Sequence, residues 1–205
     1  MNKVMPRLAL KLFSDYKINL DEEIVDGIRT NKARALLAYL ALEVNRSHRR
    51  SVLAEFFWPN KPSGSGRNSL KQALSNIRNS LADQDSTSPF LLVDREEIQF
   101  NSGSNYWIDA QEFAALIKET RTHQHQAIQS CKRCIDRLRQ AVNLYQGDFL
   151  AQFSLPDSAG FEEWVVTNRE ALQRQMSDAY RSLIAHEKQN GDYSEACQHA
   201  YRLVE

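Results

Sequence analysis

Apolar and polar residues alternate along the first part of the chain, as they do in short β-strands. Every second position is apolar in Leu8–Leu12 and again in Tyr16–Leu20, and the turn-like sequences SDY and DEE bound the second run. These residues are therefore predicted to form strands of a small antiparallel sheet.

The pattern then changes to a helical period. Thr30 suits the N-cap of a first helix over NKARALLAYLALE. A short second helix over RRSVLAEFFW must end at Trp58, because Pro59 disfavours helical geometry in the residue before it. The sequence PNKPSGSG is predicted to be a loop, and a third helix is predicted from Gly66 to Asp83.

The third helix has two different faces. Its apolar residues repeat at helical spacing on one face, namely Leu70, Ala73, Leu74, Ile77 and Leu81. The other positions from Gly66 to Leu81 carry amides, hydroxyls and cations but no acid, whereas a solvated helix usually mixes charges of both signs. The acid-free face indicates a polyanionic partner, and the alternative is a solvated helix that happens to lack acids.

The second half of the chain is predicted to be helical throughout. One helix is expected over Trp107–Lys118, another over Ala127–Tyr145, and a long one after Phe161 that ends at the NGD sequence, where Gly191 suits a C-terminal cap. A last helix is expected over Tyr193–Glu205. Paired helices with short turns are typical of tetratricopeptide-like scaffolds, and the aromatic residues are expected to pack in the core rather than line a peptide groove.

The neutral overall charge conceals an uneven distribution. Residues 29–82 carry ten basic and two acidic side chains, a net charge of +8, whereas residues 106–205 carry eleven basic and fourteen acidic ones, a net charge of −3. A basic segment joined to a mildly acidic one is typical of a polyanion-binding module attached to a protein-facing module. The alternative is two surfaces that are merely solvated differently.

The order of elements favours DNA as the polyanion. The third helix is followed by two strand-like runs, FLLV and IQF, which DREE separates and which are predicted to form a hairpin. A sheet, three helices and a hairpin in this order suit a helix-turn-helix reader, whose recognition helix enters the major groove. Amides pair with adenine and cations with guanine or phosphate, whereas a carboxylate would be repelled by the phosphates.

Several stretches of the sequence resemble one family of regulators. RTNKARALLAYLALE, RRSVLAEFFWP, RNSLKQALSNIRNSL and the hairpin up to NYWID resemble the OmpR-type winged-helix domain of the Streptomyces antibiotic regulatory proteins. The series LYQGDFL, FEEW and RE-A-L resembles the bacterial transcriptional activation domain that follows it in those proteins. The resemblance implies an α+β winged-helix domain over residues 1–105 and an all-α, tetratricopeptide-like activation domain over residues 106–205.

The resemblance also implies partners and contact residues. It implies binding to direct repeats of double-stranded DNA and activation of RNA polymerase. We also expect a homodimer on DNA, with the helical half serving for dimerisation or regulation. Gln72 and Asn76 would contact bases and Arg78 phosphate, although the family often carries Arg where this chain has Ser75 and Asn76. The residues expected to contact DNA are Arg67, Asn68, Lys71, Gln72, Ser75, Asn76, Arg78, Asn79 and Arg95. The loop from Pro59 to Gly66, with Pro59, Asn60 and Lys61, would touch polymerase.

One segment of the second half carries metal-binding side chains. His123, His125, Cys131 and Cys134 lie within twelve residues, and zinc prefers four such ligands. Their spacing matches no standard zinc finger, so the prediction is two buried thiols and two surface imidazoles, with zinc as the alternative and no cofactor expected. A redox CxxC pair would open a helix after a strand, whereas this pair is predicted to lie within a helix.

Other classes of function receive little support from the sequence. It contains no HExxH, no G-x-S-x-G and no phosphate-binding loop, so an enzyme is not expected. The leading hypothesis is a DNA-binding transcriptional activator. Its rival is a protein-interaction adaptor with a winged helix that does not bind DNA, and a lesser alternative is a metal or thiol sensor.

Two further expectations concern the whole chain. Three cysteines without a disulfide framework favour a reducing compartment, and the longest apolar run, Ala35–Leu42, is too short to span a membrane, so the cytoplasm is expected. The last helix ends on the apolar Leu203 and Val204 without a stop signal. We therefore expect either a fragment of a longer regulator with further C-terminal domains or a short member that covers this edge by dimerising.

Overall fold

The computed structural model describes residues 5–84 and 86–204, apart from the side chain of Ser63. Within these residues the strands are β1 Leu8–Lys11, β2 Lys17–Leu20, β3 Glu23–Ile24, β4 His48–Arg49, β5 Leu91–Val93, β6 Glu97–Phe100 and β7 Tyr106–Ile108. The helices are α1 Asn31–Leu42, α2 Arg50–Phe57, α3 Ser63–Ser80, α4 Asp109–Thr122, α5 Lys132–Leu144, α6 Ala159–Asn190 and α7 Tyr193–Val204, and a 3₁₀ turn covers Ile128–Ser130.

The strands form two small sheets. The first has the order β3-β2-β1-β7 and is antiparallel except for β7, which runs parallel to β1. The predicted alternation is confirmed, because Leu8, Leu10 and Leu12 are fully buried. The second sheet has the order β4-β6-β5, in which β5 and β6 are the predicted hairpin and β4 is a short strand that the sequence pattern did not reveal.

The start of α4 differs from the prediction of a helix from Trp107. Residues 106–108 are instead the strand β7, and the helix begins at Asp109. The Asp109 carboxylate is buried and accepts hydrogen bonds from the backbone N–H of Leu12 at 2.8 Å and of Phe13 at 3.0 Å. Strand β7 arises from its parallel pairing with β1, which is distant in sequence. Its three residues are too few to show a period of their own, so the local pattern did not predict it.

Helix α1 begins and helix α2 ends where their sequence signals predict. Thr30 is the N-cap of α1, and its hydroxyl accepts a hydrogen bond from the Ala33 N–H at 3.2 Å. Helix α2 ends at Phe57 with Trp58 as its C-cap, directly before Pro59.

The third helix lies three residues earlier than predicted. It extends from Ser63 to Ser80 instead of from Gly66 to Asp83, so the predicted loop of residues 59–66 shrinks to residues 59–62. Gly66 lies inside the helix, where an added Cβ would be 3.6 Å from the Ala54 carbonyl oxygen of α2. Gly66 therefore lies where α3 contacts α2 rather than in a loop, whereas a Cβ on Gly64 would have no neighbour within 4 Å. The predicted apolar stripe is confirmed as buried throughout.

The helices of the second half pack in chain order, α4 on α5, α5 on α6 and α6 on α7. The predicted helix from Ala127 is shorter, because α5 begins only at Lys132 after the 3₁₀ turn. The predicted C-cap is confirmed, since Gly191 ends α6 in the left-handed conformation at φ 83°. No helix in the described part of the chain is both long and apolar enough to cross a membrane.

The last helix leaves much of its apolar surface uncovered. Tyr180 of α6 is buried, as expected for core packing, but Tyr193, Tyr201 and Val204 of α7 are 65%, 72% and 81% exposed. The expectation of aromatic core packing is therefore wrong for the two tyrosines of α7. Leu203 is partly buried against the core, and Glu205 lies outside the described residues.

The two halves of the chain share one continuous hydrophobic core. At their junction the ring centroids of Phe57 and Phe161 are 5.8 Å apart, and those of Tyr39 and Trp164 are 5.2 Å apart. Polar contacts surround these rings, because the Ser158 hydroxyl donates to the Phe56 carbonyl at 2.7 Å. The predicted domain boundary between residues 105 and 106 therefore does not separate two hydrophobic cores.

Substitution of Phe161 by alanine tests this shared core. Phe161 is fully buried, so Phe161→Ala should lower the free energy of unfolding by about 3–5 kcal/mol. Thermal unfolding should remain a single transition, because the buried residues of the two halves form one core. The control is Val166→Ala on the same helix, where the side chain is 48% exposed. Two separate transitions, with only one shifted by Phe161→Ala, would contradict the shared core.

A buried histidine at the same junction predicts a dependence on pH. His48 is 5% exposed and its ring centroid is 5.2 Å from that of Tyr39. Burial, assisted by the charge of Arg46, lowers the pKa of His48 below its usual 6.5. The unfolded chain therefore binds a proton at higher pH than the folded one, and the contribution of His48 to stability is lost as the pH falls below the unfolded value.

Denaturant titrations at about pH 8 and about pH 5.5 measure this effect. The wild type should lose more stability on acidification than His48→Gln, which carries no ionisable group at this position. Equal losses in the two proteins would show that another group titrates.

Candidate nucleic-acid interface

Helix α3 presents an acid-free strip to the solvent. Its exposed side chains repeat at intervals of three and four residues and therefore share one side of the helix, opposite the buried stripe. From Arg67 onward they are Arg67, Asn68, Lys71, Gln72, Ser75 and Asn79. These six of the nine predicted DNA contacts lie together, and we call them the α3 strip.

The α3 strip is held by the packing beneath it. Leu70 and Ile77 are fully buried, and α3 packs against both α1 and α2. Burying one such aliphatic side chain contributes about 1.5–3 kcal/mol, so the stripe holds the helix firmly on its domain. The exposed side chains are consequently presented in a fixed orientation.

Asn76 is placed differently from the predicted base contact. Its Nδ2 donates to the Gly27 carbonyl at 2.8 Å, and its Oδ1 accepts from the Arg29 N–H at 3.2 Å. Both ends of the amide thus bind the backbone segment that precedes α1. This segment lies so close to α3 that a Cβ on Gly27 would be 2.6 Å from the Ser80 hydroxyl oxygen.

Arg78 is also partly withdrawn from the solvent. Its side chain is 31% exposed, and its Nε lies 3.9 Å from a carboxylate oxygen of the buried Asp83. The Asp83 carboxylate also accepts hydrogen bonds from the N–H groups of Phe90 and Leu91, which start the hairpin. Burial raises the pKa of Asp83, while these donors and Arg78 oppose that shift. Arg78 and Asp83 therefore connect the end of α3 to β5.

Arg95 is separate from the α3 strip, in the turn between β5 and β6. It is exposed, but Asp94 and Glu96 lie in the same turn and Glu97 begins β6. The Asp94 carboxylate accepts hydrogen bonds of 2.7 Å from the backbone N–H of Glu96 and of Glu97, and these bonds lower its pKa. Three acidic residues thus lie next to the one cation at this end of the hairpin.

The net charge of +8 for residues 29–82 includes cations that already have a partner within the protein. Lys32 forms an ion pair with Asp157 at 2.7 Å, and the Arg34 guanidinium lies over the Tyr16 ring at 4.7 Å from its centroid. In the described part of the chain, no carboxylate lies within ion-pair distance of Arg67 or Lys71. The unpaired cations on α3 are therefore in the α3 strip.

The loop before α3 is exposed, as expected for a contact with another protein. Pro59, Asn60 and Lys61 are all exposed. The Lys61 N–H donates to the Trp58 carbonyl at 3.1 Å, and the Lys61 ammonium donates to the Ser69 hydroxyl at 2.9 Å. The loop is thus tied to the helix that follows it.

The histidine and cysteine side chains of the second half come together. One ligand atom each of His123, Cys131 and Cys134 lies within 4.8 Å of the others, and the His125 Nδ1 is 3.7 Å from the Cys134 Sγ. The prediction that the cysteine pair lies within a helix is wrong, because Cys131 is the N-cap of α5. Burial raises the pKa of Cys134 to about 11, whereas N–H donors at the start of α5 lower that of Cys131.

Comparison with known proteins agrees with this architecture. Residues 108–205 match the family model of the bacterial transcriptional activator domain. No curated protein matches the chain significantly. Among solved structures, Mycobacterium tuberculosis EmbR in complex with a low-affinity phosphopeptide is similar, with a TM-score of 0.62 and 17% identity. The similarity covers 97% of this chain and 58% of the EmbR chain, and at this identity it shows the fold alone.

The matched domain is described as one of bacterial transcriptional activators. The fold, a small α/β region followed by helices, is the one that the sequence motifs imply. Residues 108–205 thus match the bacterial transcriptional activator domain that the predicted resemblance to the Streptomyces antibiotic regulatory proteins assigns to residues 106–205, and the chain as a whole has a fold similar to that of EmbR.

Proposed function

We propose that the protein is a sequence-specific DNA-binding activator that inserts α3 into the major groove. The observation that carries this proposal is the α3 strip, an exposed face without acids on a helix whose opposite face is buried. The major groove, about 12 Å wide, admits one helix with its side chains. A helix that meets water alone has no reason to exclude carboxylates, whereas a helix between two rows of phosphates does.

The geometry of the α3 strip supports different DNA contacts for its amides and for its cations. Asn68 and Gln72 are one turn apart on its exposed side, where their amides are available to adenine edges. Arg67 and Lys71 are also one turn apart, and their charges suit phosphate or guanine. Ser75 and Asn79 continue the strip toward the C-terminal end of α3.

Asn76 and Arg78 support the strip in this proposal. Asn76 holds α3 against the segment before α1, and Arg78 holds the end of α3 near β5 through Asp83. The exposed part of Arg78 remains available to a phosphate. Arg95 contributes less to DNA affinity than a lone cation would, because the three acidic residues beside it repel phosphates.

The proposal extends to partners. The exposed loop with Pro59, Asn60 and Lys61 contacts RNA polymerase, next to the helix in the groove. Binding to direct repeats places two copies side by side, and the helical half supplies the contact between them. The uncovered face of α7, with Tyr193 and Tyr201, supports such a protein contact.

The direct test is selection of bound fragments from random DNA with the full chain. Recovery of a repeated motif supports the proposal. Binding that does not discriminate between sequences, or none in a gel-shift assay, would favour an interaction adaptor whose winged helix does not bind DNA.

Substitution in the middle of the α3 strip should change sequence preference. Gln72→Ala removes an exposed amide with little effect on folding, and we expect a loss of about 1–3 kcal/mol in binding to the selected site but not to unrelated DNA. The matched control is Asn76→Ala, which breaks two hydrogen bonds to the backbone and should lower stability by about 1–3 kcal/mol without changing which sequence is preferred. The assignment fails if Asn76→Ala alone alters the preferred sequence.

Substitution of a cation in the α3 strip should act on all DNA alike. Lys71→Ala removes one unpaired charge, so the slope of log K against log salt concentration should become shallower by about 1, for specific and unrelated DNA. The control is Arg174→Ala on α6, where the side chain is 71% exposed and pairs with Glu170. Titrations at several salt concentrations measure the slopes, and an equal change in both variants would place the contact elsewhere.

A further inference from the structure

Four potential metal ligands flank the connection between α4 and α5. His123 is the C-cap of α4, and its N–H donates to the Glu119 carbonyl at 3.0 Å. His125 follows two residues later. Cys131 is the N-cap of α5, and Cys134 lies in the first turn of that helix. The end of one helix and the start of the next thus supply a pair of ligands each.

The side chains converge as well as the backbone. His123, Cys131 and Cys134 each offer one ligand atom, and these atoms lie within 4.8 Å of one another. The His123 and His125 ring centroids are 6.0 Å apart, and the Nδ1 of His125 is 3.7 Å from the Cys134 Sγ. In the described residues this is the only group of three or more His, Cys, Asp or Glu side chains that meets such a distance test.

These distances are close to those of a tetrahedral site. Zinc binds thiolate sulfur at about 2.3 Å and imidazole nitrogen at about 2.0 Å, so ligand atoms at the corners of a tetrahedron are about 3.3–3.8 Å apart. The pair of His125 and Cys134 already has that separation. Within the group of His123, Cys131 and Cys134 the ligand atoms need to approach by up to about 1 Å. The exposed His125 lies outside that group and needs to turn its ring toward His123 and Cys131.

The donor set selects the class of metal. Two sulfur and two imidazole ligands in a tetrahedron suit Zn²⁺, whereas Mg²⁺ and Ca²⁺ take oxygen ligands. Two thiolates also neutralise the charge of a divalent cation, so the occupied site carries no net charge beside the buried Cys134.

We propose that His123, His125, Cys131 and Cys134 bind one Zn²⁺ ion, which fastens the C-terminal end of α4 to the N-terminal end of α5. The ion closes the segment of residues 123–131, which is otherwise held by the 3₁₀ turn and by a hydrogen bond from the ring of His186 to the Gln129 carbonyl at 2.7 Å. It acts within the activator domain, at a distance in sequence from the α3 strip, and it does not depend on the proposed DNA contacts.

A dithiol switch is the competing interpretation of the same residues. A disulfide between Cys131 and Cys134 would use the two sulfurs and leave the two imidazoles without a role. The position of His123 beside both thiols and of His125 beside the Cys134 thiol favours the metal. The two interpretations also predict different behaviour of the reduced protein. It binds a metal ion if the residues form a zinc site, and it binds none if they form a dithiol switch.

The first experiment measures metal content and affinity in the full chain. Protein purified with a reductant that does not bind metal is loaded with Zn²⁺, freed of excess ion and analysed for zinc. We expect close to one equivalent. In competition with a chromogenic chelator, Cys131→Ser and His123→Ala should each weaken the affinity by about 100-fold or more. The matched control Cys197→Ser, which changes an exposed thiol of α7, should leave the affinity unchanged.

The second experiment uses Co²⁺ as a spectroscopic probe of the wild type, so that it does not depend on a variant that folds. Tetrahedral binding should produce intense visible bands and a thiolate-to-cobalt charge-transfer band with the intensity of two sulfurs. Zn²⁺ should abolish both bands. Removal of zinc by a chelator should lower the melting temperature of the wild type and of Cys197→Ser but not that of Cys131→Ser.

The proposal is overturned if reduced protein retains no zinc, or if Cys131→Ser and Cys197→Ser retain it equally. It is also overturned if Co²⁺ produces no charge-transfer band while oxidation links Cys131 to Cys134, which would identify a dithiol switch.

Discussion

Helix α2 packs on two partners at once, and the arrangement of the molecule depends on this double contact. Phe57 is fully buried and meets Phe161 of α6, while Ala54 on the same helix lies against Gly66 of α3. Because protein interiors are close-packed, a shift of α6 must be accommodated by α2 and therefore by α3. The helix proposed to enter DNA and the domain proposed to activate transcription are thus parts of one packed unit.

Two buried carboxylates also hold these elements together, through hydrogen bonds to the backbone. Asp109 binds the backbone at the end of β1, and Asp83 binds the backbone at the start of β5. Each satisfies N–H groups that would otherwise be buried without a partner, at a cost of about 1–3 kcal/mol each. One fastens α4 to the first sheet, and the other fastens the end of α3 to the hairpin.

The same physical argument explains why the polar residues of α3 have different roles. Gln72 and Asn76 are both amides and lie one helical turn apart, yet Gln72 is exposed to solvent and Asn76 is bound to the backbone at Gly27 and Arg29. Arg67 and Arg78 differ likewise, because the second lies beside Asp83. An exposed strip for a ligand and a row of polar supports for that strip therefore lie next to each other on one helix.

The sequence by itself determined the features that depend on local periodicity and on end signals. The buried stripe and acid-free face of α3, the cap at Thr30, the end of α2 before Pro59 and the C-cap at Gly191 were all predictable, because each arises from residues within a few turns of one another. Only the tertiary structure decided the strand β7, the roles of Asn76 and Arg78, and the convergence of His123 and His125 on Cys131 and Cys134. These features depend on partners up to about a hundred residues away or on the angle between two helices, and neither is written in the local pattern of the chain.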